Sequence, residues 1–185
     1  MTPNIEREVK LRFESPAEAR AAILGAGAAP LRCRRLQQDA LFDTHDETLR
    51  RRRCVLRIRT EAGQSLLTFK GPVQPGPMKV RDEYETVVAD GAVLQQVLEE
   101  LGMRVWFRYE KYREEYAAQD VTIALDETPV GTYVEIEGGE QGIEAMTRAL
   151  GRSASDFILD SYRTLFVQHQ ERHGSSDVHM VFPTE

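Results

Sequence analysis

The segment from Glu6 to Lys10 reads Glu-Arg-Glu-Val-Lys and places charged side chains at alternate positions of a strand-like stretch. Because successive side chains of a strand point to opposite faces, Glu6, Glu8 and Lys10 share one face, and Val9 lies on the other. Two carboxylates about 7 Å apart on one strand can hold a hard divalent cation, and the adjacent ammonium suits a phosphate oxygen. The alternative interpretation is the solvent-exposed face of an edge strand.

The same alternation recurs in later strand-like segments, each of which has one charged row and one apolar row. In an ordinary soluble barrel the apolar rows fill the interior. An inverted arrangement explains this chain at least as well, with charged rows facing a wet tunnel and apolar rows facing outward beneath helices. A transmembrane barrel alternates similarly, but the amphipathic helices and the missing signal segment argue against it. The charged rows are Arg57 and Arg59; Lys70; Lys79, Arg81, Glu83 and Glu85; Lys111, Arg113 and Glu115; Asp126; and Glu135 and Glu137.

The pattern predicts about eight strands and three or four helices, arranged as two similar halves that each run strand, helix and then more strands. Helices are expected from the Ser15 cap to Gly25, from the Asp90 cap to Gly102, over roughly 140–150, and from Ser155 into the 160s. We expect one domain over residues 1–170 and a loosely held C-terminal tail over residues 171–185. The strand candidates are 4–13, 30–43, 54–61, 64–71, 79–88, 104–117, 121–127 and 132–138.

Composition narrows the classes of partner. A formal net charge of -6 argues against a broad nucleic-acid footprint, so a polyanion would need a local basic pocket. Cys33 and Cys54 have neither the spacing of a zinc site nor that of a disulfide framework. The chain shows no signal pattern and no membrane-length apolar run, which predicts a cytoplasmic protein without a membrane partner. The sequence leaves the choice between monomer and homodimer open.

An arginine run and a group of aromatic residues could bind a ligand, but each is better explained by a structural role. The run from Arg50 to Arg53 could dock a polyphosphate or nucleic acid, but a run this short is more typical of the solvent-exposed start of a strand. Trp106, Phe107 and Tyr109 could stack a base, but aromatic residues in a strand more often pack in a core.

In their order and phase, eight segments of this chain resemble the CYTH family, also called triphosphate tunnel metalloenzymes. The resemblance spans about residues 4–165 and is closest to the branch described as class IV adenylate cyclase-like, beside a thiamine triphosphatase-like branch. The segments are Glu6-x-Glu8-x-Lys10, 39–44, 56–59, 67–72, 81–85, 111–116, 125–127 and 133–137.

The resemblance implies an α+β fold in which an eight-stranded antiparallel barrel has a charged interior and helices packed on its outside. It also implies a tunnel that binds a linear triphosphate with Mg²⁺ or Mn²⁺, in which Lys70 and Lys10 are the catalytic candidates. Glu83 and Glu85 would partner neighbouring arginines. The substrate-binding candidates are Lys10, Arg57, Arg59, Lys70, Arg81, Lys111 and Arg113, and the metal candidates are Glu6, Glu8, Asp126, Glu135 and Glu137.

The chain departs from the family pattern at two places. A tyrosine that works with the lysine matching Lys70 in triphosphatase members is replaced by Leu41, or by its neighbour Phe42, and neither side chain can transfer a proton. The His-Phe pair that precedes the first strand in several cyclases is also missing.

Three functions therefore stay open. The first is metal-dependent hydrolysis of inorganic triphosphate or of an organic triphosphate such as thiamine triphosphate. The second is conversion of ATP to cyclic AMP and pyrophosphate, and the third is non-catalytic binding of polyphosphate or a nucleoside triphosphate.

Overall fold

Eight antiparallel strands close into a barrel in the order β1-β5-β4-β3-β2-β6-β7-β8, in a computed structural model that describes residues 4–183. The predicted barrel is thereby confirmed. The strands are β1 (Asn4–Phe13), β2 (Ala29–Thr44), β3 (Val55–Glu61), β4 (Gln64–Lys70), β5 (Lys79–Val88), β6 (Met103–Ala118), β7 (Val121–Thr128) and β8 (Gly131–Gly138), and the helices are α1 (Pro16–Gly25), α2 (Thr48–Arg51), α3 (Gly91–Glu100), α4 (Glu140–Ala149) and α5 (Tyr162–His173).

The predicted repeat of two halves is present in the order of the elements. The first half runs β1, α1, β2, β3 and β4, and the second runs β5, α3, β6, β7 and β8. The long strands β2 and β6 pair on one side of the barrel, and β1 and β5 pair on the other. If β1–β4 are exchanged with β5–β8 in the same order, the strands still follow the same circular order around the barrel. The topology of the barrel is therefore two-fold symmetric.

Side-chain caps mark where α1, α3 and α5 begin. The Ser15 hydroxyl accepts a hydrogen bond from the Glu18 amide, and the Asp90 carboxylate accepts from two amides at the start of α3. The last helix begins later than predicted: Ser161 caps α5, and residues 154–156 form only a 3₁₀ turn. Within residues 4–183, no helix combines the length and the apolar character needed to cross a bilayer.

The apolar rows of the strands pack outward against the helices, as the inverted arrangement requires. Val134 and Ile136 of β8 are fully buried in one cluster with Ile23 of α1 and Ile143 of α4. Ile58 of β3 is buried in a second cluster with the α3 leucines Leu94 and Leu98. Burial of these side chains outside the barrel leaves the charged rows to fill its interior.

The C-terminal segment is not loosely held where the structure describes it. Residues 171–173 continue α5, and Met180 is fully buried against Phe107 and Phe166. The Met180 amide donates to the Arg108 carbonyl at 3.0 Å, and the Glu110 amide donates to the Met180 carbonyl at 2.8 Å. β6 pairs with β7 only from Tyr112 onward, so the tail covers a strand edge that β7 leaves open.

Replacing Ile136 by alanine tests the outward core. Ile136 is fully buried between strand and helix, so this change should lower the free energy of unfolding by about 2–5 kcal/mol. Ile5 of β1 is 59% exposed, and Ile5→Ala should change that free energy by less than about 0.5 kcal/mol. Equilibrium urea unfolding of both variants makes the comparison, and equal losses would contradict the inverted barrel.

Candidate functional site

The barrel encloses a cavity of about 1160 Å³ lined by side chains from its inward-facing rows. Twelve of the lining residues are Lys or Arg and nine are Asp or Glu, so the cavity wall carries excess positive charge in a chain whose net charge is -6. The chain contains only four lysines, and all four line this cavity with at most 8% of their surface exposed. A basic site of this kind is the local pocket that a polyanion would need.

The structure brings eleven of the twelve sequence-predicted site residues to this one cavity. Asp126 is the exception, because it lies fully buried behind the wall, where it accepts hydrogen bonds from Lys111 at 2.8 Å and from the Tyr162 hydroxyl at 2.5 Å. It therefore supports cations of the wall from behind. The eleven that line the cavity are Glu6, Glu8, Lys10, Arg57, Arg59, Lys70, Arg81, Lys111, Arg113, Glu135 and Glu137.

Glu6 and Glu8 of β1 are held by cations on the neighbouring strands. The Glu6 carboxylate accepts from Lys70 at 2.5 Å and from Arg81 at 2.9 Å, and Glu8 accepts from Lys79 at 2.5 Å. Burial opposes ionisation of both carboxyls, but these cations lower the pKa of Glu6 and bring the pKa of Glu8 to about 2. Both carboxylates are therefore charged at neutral pH.

A second charged group lies between β8 and β6. Glu135 pairs with Lys10 at 3.1 Å and with Arg113, and Arg113 also donates two hydrogen bonds to Asp126. Burial opposes the charge of Lys10, but Glu135 and Glu8 outweigh it and raise the pKa of that lysine. For Lys111 the balance is opposite: burial and the nearby Arg113 lower its pKa to about 8.

Asp39 lies at the centre of a third group of paired charged side chains. The sequence analysis assigned it no role. Its fully buried side chain forms a bidentate hydrogen bond with Arg59, at 2.9 and 3.2 Å, and an ion pair with Arg57 at 3.3 Å. The fork holds the Arg59 guanidinium in the cavity wall, and the single ion pair holds that of Arg57 beside it. Strand alternation could have placed Asp39 in the site from the sequence, since Asp39 lies an even number of residues from Leu41 and so shares its inward-facing row.

Glu137 differs from the other carboxylates of the cavity. It is exposed to the cavity solvent and lies directly opposite Glu8 across the β1–β8 pair, and no hydrogen bond or ion pair engages its side chain within residues 4–183. Its enclosure within the barrel partly desolvates the carboxylate and raises the pKa of Glu137 to about 7, and repulsion from Glu6 and Glu8 adds to the effect. Like charges opposite each other on neighbouring strands are unfavourable unless a cation lies between them.

These carboxylates fit a hard divalent cation by the chemistry of their donors, because Mg²⁺ and Mn²⁺ prefer carboxylate oxygens. They are not arranged as a ready-made site: among the described residues 4–183, no three His, Cys, Asp or Glu side chains are grouped closely enough to hold a metal ion. Lys79 and Lys70 occupy carboxylate oxygens that a metal would use.

The position of the missing tyrosine is resolved by the strand register. Leu41 pairs with Arg57 and lines the cavity, whereas Phe42 is fully buried outside the barrel beneath α3. Two phenols that sequence analysis missed as site residues also line the cavity, Tyr109 and Tyr162. Burial raises the pKa of both, so they remain protonated and act as hydrogen-bond donors. Tyr109 was predicted to be a core residue, and it is buried as well as facing the site.

The arginine run and Trp106 both reach the cavity, which the sequence did not predict. Arg50 and Arg51 belong to the short helix α2 rather than to the start of a strand, and both Arg50 and Arg53 line the cavity. Trp106 packs against the core cluster of Phe107 and Tyr109, as expected, and it also lines the cavity beneath Arg50, whose guanidinium carbon is 4.5 Å from the centre of the indole ring.

A family model described as CYTH domain matches residues 4–162. A Methanocaldococcus jannaschii protein provisionally named an adenylate cyclase is 27% identical over 172 residues, which cover 87% of this chain and 98% of the relative.

Two solved structures share the fold. A Vibrio parahaemolyticus protein, also provisionally named an adenylate cyclase, has a TM-score of 0.79 at 20% identity and covers 90% of this chain and 99% of its own. A Hippeastrum protein, provisionally named an adenylyl cyclase and described as having a dominant triphosphatase activity, has a TM-score of 0.65 at 18% identity. The superposition with it covers 88% of this chain and 95% of that protein.

The raised pKa of Glu137 predicts how stability depends on pH. Between the ordinary value of 4.5 and about 7 the folded protein binds more protons at this carboxyl than the unfolded chain does. The free energy of unfolding should therefore fall as pH rises through this range, and Glu137→Gln should make the decline shallower. Thermal unfolding from pH 5 to pH 8 in metal-free buffer measures this pH dependence for the wild type and the variant. Glu100→Gln, at an exposed position on α3, is the matched control and should leave the slope unchanged.

Proposed function

Since this chain belongs to the CYTH domain family, we propose that it binds a triphosphate compound together with a divalent cation in the barrel cavity and hydrolyses it. The observation that carries the proposal is the arrangement of one cavity in which guanidinium and ammonium groups face carboxylates. Such a cavity offers partners to both components of a metal–triphosphate complex, whereas a site for a simple anion would need only the cations.

Phosphate recognition would fall to the basic side chains of β3, β4 and β5. Arg57 and Arg59 present two guanidinium forks, and Lys70 presents a point charge from the next strand. These groups are already fixed by carboxylates, so little side-chain freedom remains to be lost when a ligand binds. Their charge, held in a partly enclosed site, would also stabilise the spread negative charge of a phosphoryl-transfer transition state.

Metal binding would fall to Glu6, Glu8 and Glu137, which line the cavity from the adjacent strands β1 and β8. When bound, Mg²⁺ or Mn²⁺ would neutralise phosphate charge and lower the pKa of a bound water. To bind a metal, Glu135 would have to release Lys10 and Arg113, just as Glu6 would have to release Lys70 and Arg81.

Lys111 is better suited than Lys10 to transfer a proton during the reaction. The raised pKa of Lys10 keeps its proton, which suits charge neutralisation rather than proton transfer. A pKa of about 8 leaves Lys111 able to hold or release a proton near neutral pH. Leu41, which faces the same cavity, contributes no proton-transfer group.

Conversion of ATP to cyclic AMP and pyrophosphate is the second candidate function, favoured by the provisional name of the 27% identical Methanocaldococcus jannaschii relative. The two reactions differ in the phosphorus atom that is attacked. A cyclase must also align a ribose hydroxyl with the α-phosphate, which hydrolysis does not require.

Product identification separates the candidates. The purified protein is incubated with inorganic triphosphate, thiamine triphosphate and ATP, each with Mg²⁺ or Mn²⁺, and products are followed by phosphorus NMR. Hydrolysis gives orthophosphate from triphosphate, whereas cyclisation gives cyclic AMP and pyrophosphate from ATP alone. Tight binding without any product would leave the non-catalytic binder.

Arg59→Ala tests the phosphate site directly. Removing a charge-assisted contact should weaken triphosphate binding by about 1.5–3 kcal/mol, which is roughly 10- to 150-fold. Arg104→Ala, at an exposed position on β6, removes the same charge outside the barrel and should leave affinity unchanged. Calorimetric titration with Mg²⁺ present measures both variants, and equal affinities would exclude Arg59 from the site.

Lys79→Met tests the carboxylate site without relying on turnover. Lys79 occupies a Glu8 oxygen at 2.5 Å, so a divalent cation must displace it. Its removal should tighten Mn²⁺ binding about tenfold, because a contact of roughly 1.5 kcal/mol or more no longer competes. Lys79→Arg keeps the competing charge and should retain the wild-type affinity. Weaker Mn²⁺ binding by Lys79→Met, measured by calorimetry without triphosphate, would contradict the assignment of Glu8 as a ligand.

A further inference from the structure

Three arginines outside the predicted site line one end of the same cavity. Arg50 lies on α2, Arg53 lies just before β3, and Arg163 lies in the first turn of α5. We call these three residues the mouth arginines. They lie at the end of the barrel where β2 passes into β3, and Trp106 of β6 lies among them.

The mouth arginines differ from the tunnel cations in their partners. On strands β1, β3, β4, β5 and β6, eight Lys and Arg side chains line the cavity, and each of them contacts a carboxylate. Of the mouth arginines only Arg50 does, through Glu47 at 2.6 Å. Within residues 4–183, neither Arg53 nor Arg163 forms an ion pair with a carboxylate.

The surroundings of Arg163 make this excess charge unfavourable in the empty cavity. Its Nη1 atom is buried and has no hydrogen-bond acceptor in the described chain, and the guanidinium lies 5.1 Å from the centre of the Phe107 ring. Burial, followed by repulsion from Arg50, lowers the pKa of Arg163. Two guanidinium groups close enough to repel each other are stabilised when an anion binds between them.

The identity of that anion follows from continuity with the tunnel. The mouth arginines and the predicted phosphate ligands line one uninterrupted cavity, so one extended ligand can reach both. Guanidinium forks match phosphate oxygens, and an enclosed donor without an acceptor costs about 1–3 kcal/mol.

We propose that the mouth arginines bind a further phosphate group of a linear polyphosphate whose first three phosphates occupy the tunnel. This proposal rests on the proposed function of the tunnel. It makes chain length a determinant of specificity: the protein should prefer tetraphosphate and longer chains to triphosphate.

The test is the ratio of affinities for inorganic tetrapolyphosphate and triphosphate, measured by calorimetry with the full chain and Mg²⁺. The wild type should bind tetrapolyphosphate about tenfold more tightly. In Arg53→Met/Arg163→Met the ratio should fall to about one, and in the conservative Arg163→Lys it should be largely kept. Because each ratio is measured within one variant, a partial loss of folded protein cancels.

Arg51→Met is the matched control. Arg51 lies on the same helix as Arg50 but pairs with Asp46 and does not line the cavity, so the ratio should equal that of the wild type. A wild-type ratio near one would overturn the proposal. A double variant that loses affinity for ATP while keeping the ratio would overturn it too, and would make the mouth a base-binding surface around Trp106. Failure of the wild type to bind either chain would instead refute the proposed function.

Discussion

A charge inside a closed barrel is costly unless a nearby strand supplies its counter-charge, and this constraint governs the arrangement of the tunnel. Glu6, Glu8 and Asp39 would each be costly in isolation, since burial disfavours the ionised carboxyl. Antiparallel register solves the problem, because Glu6 lies opposite Arg81, Glu8 opposite Lys79 and Asp39 opposite Arg59. The hydrophobic contribution to stability then comes from the outer face of the barrel, where helices cover the apolar rows.

Strand phase was the part of the structure that the sequence could predict. A period of two fixes which residues share a face, so Arg57 and Arg59 could be placed with Glu135 and Glu137 before any pairing was known. The helix caps at Ser15 and Asp90 were equally local and were found where predicted. What phase alone could not decide was whether charged rows face in or out, and the family resemblance supplied that.

The remaining features depend on contacts between residues far apart in the chain. Arg53 and Arg163 are 110 positions apart in the numbering, and nothing local indicates that a helix from the C-terminal region reaches the cavity. Met180 is buried because β6 extends beyond the last residue that pairs with β7, which is a property of strand lengths rather than of the tail. Lys79 was on a predicted charged row, but its contact with Glu8 required the β1–β5 register.

The confinement of all four lysines to the tunnel has a consequence for the chemistry of the whole molecule. Positive charge on the outer surface is carried by arginine, so the folded exterior of the described chain presents no side-chain amine. To reach a lysine side chain, an amine-selective reagent or an enzyme that acylates lysine would have to enter the barrel or meet an unfolded chain. Lysine reactivity in this protein is therefore a direct report on the tunnel, and a ligand that fills the tunnel would protect every lysine in the chain at once.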